Sequence, residues 1–404
     1  MSVEAKFKNL GIDNAPGQEV RQQAADALNA LVRGDALSGA LVDFSHGDVD
    51  AFTPPPGSFE AFTLAVEAGG QQAYTEYRGS ADIRAELAVH LSAFTGADIA
   101  PDLGVIITPG TQGALFLAVA STVSTGDKVA IVQPDYFANR KLVEFFGGEI
   151  MPIRMDYLGS DEKAGLDLEQ LRAAFAAGAR TFLFSNPNNP TGAVYSADEI
   201  AQIVALAKEY DATVIADQLY SRLRYSGQSY AHICASDLSE NKILTIMGPS
   251  KTESLSGYRL GVAFGSPEII ARMEKLQAIV SLRAPGYNQA VLRTWFNEPE
   301  GWMDERIAAH EAIRDDLLAI FRDAGMATRT PQAGSYVFPT LPKLAIGLND
   351  FVKLLRQQAN VIVTPGTEFG PHEHSIRLNY SQDHQAAVAA AHRIVEMAKR
   401  YSAE

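Results

Sequence analysis

Side chains able to move protons or grip anions sit in short, ordered signatures along this chain. An asparagine lies in Ser185-Asn186-Pro187-Asn188-Asn189-Pro190-Thr191-Gly192, an acid and a phenol in Asp217-Gln218-Leu219-Tyr220, and a lysine in Gly248-Pro249-Ser250-Lys251, with Arg259 eight residues later and Arg377 near the C-terminus. A lysine amine attacks carbonyl carbon and, once deprotonated, serves as a base. A carboxylate can hold a protonated ring nitrogen, and a guanidinium grips phosphate or carboxylate through two parallel N–H donors. Alone, each has an ordinary reading: a lysine in a turn is a solvated surface residue, and Arg377 an exposed strand arginine.

The elements that must position them change this reading. Apolar runs occur at 105–108 (VIIT), 128–132 (KVAIV), 181–185 (TFLFS), 213–217 (TVIAD), 242–247 (KILTIM) and 260–264 (LGVAF), separated by helical patterns. One such helix runs from Ser80 to Phe94, with Ser80 as N-cap and Gly96 past its end, and another over 196–210 opens with Ser196 and Glu199 in capping-box spacing. Strands apolar on both faces and alternating with helices predict an α/β fold, a mainly parallel sheet covered on both sides. Ligands of such sheets gather beyond the strand ends. The asparagine, the acid, the phenol, the lysine and Arg259 each lie beside a predicted core strand, so they converge on one crevice. After VIIT comes Thr108-Pro109-Gly110-Thr111-Gln112-Gly113, a strand-to-helix turn whose amides could hold a phosphate. It lacks the P-loop lysine and the three-glycine dinucleotide spacing, so by itself a plain βα turn remains the simpler reading.

Beyond about residue 285 the pattern changes to a long helix near 300–324 and strands near 335–338, 361–363 and 375–380, a smaller α+β domain. The expected division is residues 1–50 as a segment with a helix near 18–33 packing on the small domain, 51–285 as the large domain, and 286–404 as the small one.

Composition bounds the partners. The 404 residues carry 34 Lys+Arg against 48 Asp+Glu, a formal charge of −14, which opposes nucleic acid and anionic membrane but not a small anion in a cleft. A 47% hydrophobic, 20% charged chain is globular. The single Cys234 can form no internal disulfide, the start MSVEAKFKNL has no signal-like apolar core, and no run approaches a membrane span; the expectation is a cytoplasmic, soluble protein. No metal is expected: His372 and His374 form a two-histidine tip without a third ligand, read as a polar loop.

Taken together, SNPNNPTG (185–192), DQLY (217–220), SKT with GYRLG (250–261), and VTPGTEFG followed by IRLNYS (363–381) occur in the order found in the fold-type I pyridoxal phosphate (PLP) enzymes. The chain resembles their class I/II aminotransferases, typified by aspartate aminotransferase, over roughly residues 40–385. The resemblance implies a seven-stranded-type PLP-binding large domain and an enzyme moving an amino group between an L-amino acid and a 2-oxo acid by a ping-pong route.

It also implies roles. Lys251 would bond the cofactor covalently and later move the substrate α-proton, Asp217 would pair with the pyridine nitrogen, and Asn189 and Tyr220 would hydrogen-bond the ring hydroxyl. Tyr136 would stack on the ring, although a partly buried tyrosine is the ordinary alternative. Gly110, Thr111, Gln112, Ser250 and Arg259 would hold the phosphate, and Tyr74 would reach the phosphate of a neighbouring subunit, making a homodimer with shared sites. Arg377 and Gly47 would bind the substrate α-carboxylate. One departure is Gly248, where many relatives carry a phosphate-binding serine. Arg283 lies where some relatives reach across the dimer to a distal carboxylate, but its spacing matches poorly. The same scaffold also serves β-lyases, decarboxylases, racemases and oxidases, and a PLP-sensing regulator is a further alternative that the short leading segment and acidic charge disfavour.

Overall fold

The computed structural model describes residues 3–10, 26–238 and 240–403. Of the helix expected near 18–33, residues 18–25 lie outside the described residues, and in the remainder only the turn Asp26–Asn29 is helical. A two-residue strand β1 (Val42–Asp43) precedes the seven strands of the central sheet: β2 (Val105–Pro109), β3 (Lys128–Gln133), β4 (Glu149–Arg154), β5 (Thr181–Ser185), β6 (Thr213–Asp217), β7 (Ile243–Met247) and β8 (Leu260–Gly265). Their order across the sheet is β2-β8-β7-β6-β5-β3-β4, with every pairing parallel except those of β8.

Alternation along the strands divides the core into two layers, as pleating requires. Phe182, Phe184, Val214 and Ala216 point to one face and pack with Leu171 and Phe175 of the helix Leu168–Ala176 and Ile203 of the helix Ala197–Glu209. Leu183, Ile215 and Ile246 point to the other, against the helices Gly110–Thr122 and Pro267–Val280. Burial of each large side chain here contributes about 1.5–3 kcal/mol.

Strand β4 is missing from the apolar runs of the sequence because it forms a sheet edge. Glu149, Pro152 and Arg154 are exposed on it, and a proline is tolerated where no neighbour needs its amide. The capping box of Ser196 and Glu199 is present. Ser80, by contrast, does not cap the helix Ala81–Thr95: its hydroxyl donates to Asp82, while Gly96 ends the helix at φ 77°.

The C-terminal part contains β9 (Tyr336–Val337), β10 (Val361–Ile362), β11 (Thr364–Pro365) and β12 (Ile376–Asn379). β12 pairs antiparallel with both β9 and β11, and β10 pairs parallel with β1. The helices Trp302–Asp323, Leu348–Ala359 and His384–Arg400 cover these strands, and Leu28, Val42 and Phe44 share a core with Leu317, Phe351, Leu378 and Ile394. Among the described residues, no helix is long and apolar enough to cross a membrane.

Candidate active site

Register brings the chemistry to one edge of the central sheet. Ser185, Asp217 and Ile246 are neighbours across β5, β6 and β7, and Pro109 at the end of β2 faces Leu260 at the start of β8. The loops leaving these positions wall a cleft of about 330 Å³ lined by Thr111, Gln112, Tyr136, Asn189, Asp217, Tyr220, Ser250, Lys251, Arg259 and Arg377, all ten expected from the sequence. Gly47 lines a small cavity adjoining it, with Ser250 and Lys251. Tyr74 is not in this chain's cleft; it is 82% exposed, with the Arg283 guanidinium over its ring at 5.3 Å.

One wall could hold an anion. The helix Gly110–Thr122 starts at the cleft, and its first amides carry the positive end of the helix dipole. Gly110 (φ 78°) has no side chain to obstruct Arg259; a Cβ there would lie 2.5 Å from Nη2. Gly261 lets β8 pass equally close, since its Cβ would meet Thr111 N at 2.3 Å. A guanidinium beside a helix N-terminus places like charges together, an arrangement that a bound phosphate would reconcile. Arg259 itself adopts φ 55°, held by Nη1 donating to Ser256 O at 3.0 Å.

Opposite lies Asp217. Its Oδ1 accepts from Leu219 N at 3.1 Å, and no cation among the described residues pairs with it. Burial holds this carboxyl up at about 6, against the single stabilising backbone bond. A cationic ring nitrogen would supply the missing partner. Tyr220 and Asn189 flank it. The Tyr220 hydroxyl lies 2.6 Å from that of Tyr336, and Asn189 Oδ1 accepts from Arg377 Nη1 at 3.2 Å.

Arg377, on β12, is 2% exposed and has no carboxylate partner among the described residues. Its Nη2 donates to Ser45 O at 3.1 Å and to Thr364 Oγ1 at 3.2 Å, its Nε has no partner, and its Cζ lies over the rings of Tyr336 and Phe369, 4.5 and 5.0 Å from their centroids. A buried guanidinium without a counter-ion is costly, and an incoming carboxylate would offset that cost.

The lysine turn is anchored below the cleft. Lys251 makes no ion pair or hydrogen bond through Nζ among the described residues, whereas Glu253, two residues on and fully buried, pairs with Arg222 at 2.6 Å and accepts from Thr252 Oγ1. Arg222 also binds Glu298 at 2.6 Å, and Arg306 donates to Ser254 Oγ and, at 2.9 Å, to Thr53 O. Gly248 answers the departure at this turn: its Cβ would come within 2.8 Å of Thr111 Cγ2, so no serine fits there without displacing Thr111.

Several contributors are absent from the sequence reading. Asp135 accepts from Tyr136 N at 2.6 Å and Ser185 N at 2.9 Å, and Ser185 Oγ accepts from Asn189 N at 3.1 Å, so one buried acid sets both Tyr136 and the asparagine loop. Its signal was an acid directly after an apolar strand. Ser45, His46, Ser256 and Tyr336 also line the cleft, and no local pattern distinguished them. His372 turns its ring edge-on to Tyr157 and Phe338, and Cys234 is half-buried with its thiol pushed up by burial.

Comparison with known proteins gives the family. The family described as "Aminotransferase class I and II" matches residues 40–394. An aspartate aminotransferase from Rhodobacter sphaeroides, known as a crystal structure, is 65% identical over the whole of both chains with a TM-score of 0.96. The aspartate aminotransferase of Musicola paradisiaca is 27% identical over 100% of this chain and 98% of its own, and a (5-formylfuran-3-yl)methyl phosphate transaminase of Methanocaldococcus jannaschii is 29% identical over 93% and 96%. A fold shared from end to end and a family match running from Ala40 to Ile394 make this chain a member of the class I and II aminotransferases, an enzyme that transfers amino groups.

Proposed function

We propose that the protein uses PLP, held in this cleft, to carry an amino group from an L-amino acid, aspartate among the donors, to a 2-oxo acid. The observation that supports this most is Arg377, a buried guanidinium with an unpartnered Nε in the same cleft as Lys251 and Asp217. PLP bound there would supply an electron sink for the charge left when the substrate α-proton departs.

The chain's own residues do the rest. Gly110, Thr111 and Gln112 offer amides to the phosphate, with Ser250 and Arg259 completing the cradle. Asp217 would be the counter-ion of the ring nitrogen, Tyr136 would cover the ring, and Asn189 with Tyr220 would bond its hydroxyl. Tyr136 is tethered by its hydroxyl donating to Gln112 Oε1 at 3.0 Å. Arg377 and Gly47 would fix the substrate α-carboxylate, and Lys251 Nζ would be both the attachment point and the base that moves the proton at the substrate α-carbon.

The division into residues 1–50, 51–285 and 286–404 belongs to the same proposal. So does a cytoplasmic homodimer: Phe59, Leu64, Tyr74, Ile279 and Val280 are exposed apolar side chains suited to a second subunit, with Tyr74 completing its phosphate site. The test is reconstitution. PLP added to the purified protein should give the visible absorbance of a lysine-bound cofactor, and Lys251→Ala should abolish it; absorbance unchanged in that variant overturns the assignment.

A further inference from the structure

The phenol assigned to the cofactor's ring oxygen has a second phenol behind it. Tyr336 lines the same cleft, and its hydroxyl lies 2.6 Å from that of Tyr220, with the two rings edge to face, 5.2 Å apart at 74°. Both side chains are buried. The backbone holds Tyr336 in place: it pairs with Asn379 on β12, which puts its side chain on the face of Arg377, two residues along that strand. The Arg377 Cζ lies 4.5 Å from the Tyr336 ring centroid. Just upstream, Tyr380 N donates to Ser335 O and Gly334 N to Leu223 O, each at 2.8 Å. Gly334, at φ 77°, packs against Tyr220, where a Cβ would lie 3.4 Å from Tyr220 Cβ and Cγ. The two hydroxyls therefore meet by construction.

A phenol has one hydrogen to give and can accept as well. Among the described residues, each of these hydroxyls has only the other as a hydrogen-bond partner. Once an acceptor oxygen enters the cleft beside Tyr220, a single polarity satisfies both hydrogens: Tyr336 donates to Tyr220, and Tyr220 donates to the newcomer. The reverse would spend the Tyr220 hydrogen on Tyr336 and leave the newcomer without it. We infer that Tyr336 is a positioning residue for the reaction, whose hydroxyl turns the Tyr220 hydrogen toward the cofactor's ring oxygen while its ring seats the Arg377 guanidinium. This rests on the PLP reading above. Hydrogen bonds in series polarise one another, so a phenol that accepts one is the stronger donor. A stronger donor stabilises negative charge on the ring oxygen, and the nitrogen joining Lys251 to the cofactor then holds its proton less firmly. One tyrosine thus ties the donor at the cofactor to the grip on the carboxylate.

The experiment titrates the visible cofactor absorbance of PLP-loaded protein against pH and measures KM for L-aspartate. Tyr336→Phe, which keeps the ring, should raise the pH midpoint of the absorbance change by about 0.5–1 unit, the scale of one hydrogen bond, and leave KM within about twofold. Tyr336→Leu should raise the midpoint as much and KM by about 3- to 30-fold, the scale of a cation–ring contact. In a Tyr220→Phe background, Tyr336→Phe should no longer move the midpoint. Replacing Tyr336 by 3-fluorotyrosine, nearly the same shape with a stronger donor, should lower the midpoint, a change that loss of packing does not produce. A midpoint that moves in neither Tyr336→Phe nor the fluorinated protein, or that Tyr336→Phe moves equally with and without the Tyr220 hydroxyl, overturns the inference alone. Wild-type protein that gains no visible absorbance from PLP overturns the PLP reading and the inference with it.

Discussion

Thr111 and Gly248 occupy adjoining space: a Cβ at position 248 would stand 2.8 Å from Thr111 Cγ2 and 3.2 Å from Gly261 Cα. The glycine at the lysine turn is thus tied to the threonine of the phosphate wall. Gly248→Ser, although it introduces a hydroxyl, should lower stability by about 1–3 kcal/mol through overpacking and speed the release of PLP. Thermal unfolding and PLP dissociation rates test this, and adding Thr111→Ala to Gly248→Ser should recover stability.

Asp217 carries a cost that the cofactor should relieve. Burial holds its carboxyl at about 6 rather than 3.8, so between these values the folded chain binds a proton that the unfolded chain has released. Stability therefore falls as pH rises through this window, and the full cost applies above about 6. Asp217→Asn should stabilise the PLP-free protein at pH 7 by on the order of 1–3 kcal/mol, with the difference fading toward pH 4, while turnover collapses. Urea unfolding at both pH values, beside a rate assay, checks the two opposite effects.

Arg377 should be sensitive to shape as well as charge. Its Cζ lies over the rings of Tyr336 and Phe369, and its Nη groups donate to Asn189, Ser45 and Thr364. Arg377→Lys keeps the charge but loses the fork, so kcat/KM should fall on the order of 100-fold with cofactor absorbance retained. Steady-state kinetics with the absorbance spectrum as control measure it.

Beneath the lysine turn, Arg222 serves two carboxylates, Glu253 and Glu298. Arg222→Met leaves both buried and unpaired, and should cost about 3–5 kcal/mol in a denaturant titration. Replacing all three by apolar residues of similar size should restore much of that loss, because the charges need one another more than the fold needs charge.

Much of this site is written in local sequence because its parts sit at strand ends. Asp217 and Lys251 each follow an apolar run, and the asparagine loop announces itself by composition; its shape comes from Asn188, whose Oδ1 accepts from Thr191 N and Oγ1 at 3.2 and 2.6 Å. The parts that escaped depend on distant pairing. Tyr336 meets Tyr220 across 116 residues from a two-residue strand. β4 escaped for another reason, since an edge strand need not be apolar on both faces. Ser80 had the right residue type at the right place, yet Asp82 two residues on takes its hydroxyl.

The central claim, that this cleft transfers an amino group through PLP, is tested most directly by a half-reaction. Holoenzyme mixed with excess L-aspartate and no oxo acid should lose its visible cofactor absorbance and release a single equivalent of the corresponding 2-oxo acid per site, without ammonia or carbon dioxide. Absorbance unmoved by aspartate and every other amino acid, or sustained release of ammonia or carbon dioxide without oxo acid acceptor, would contradict it.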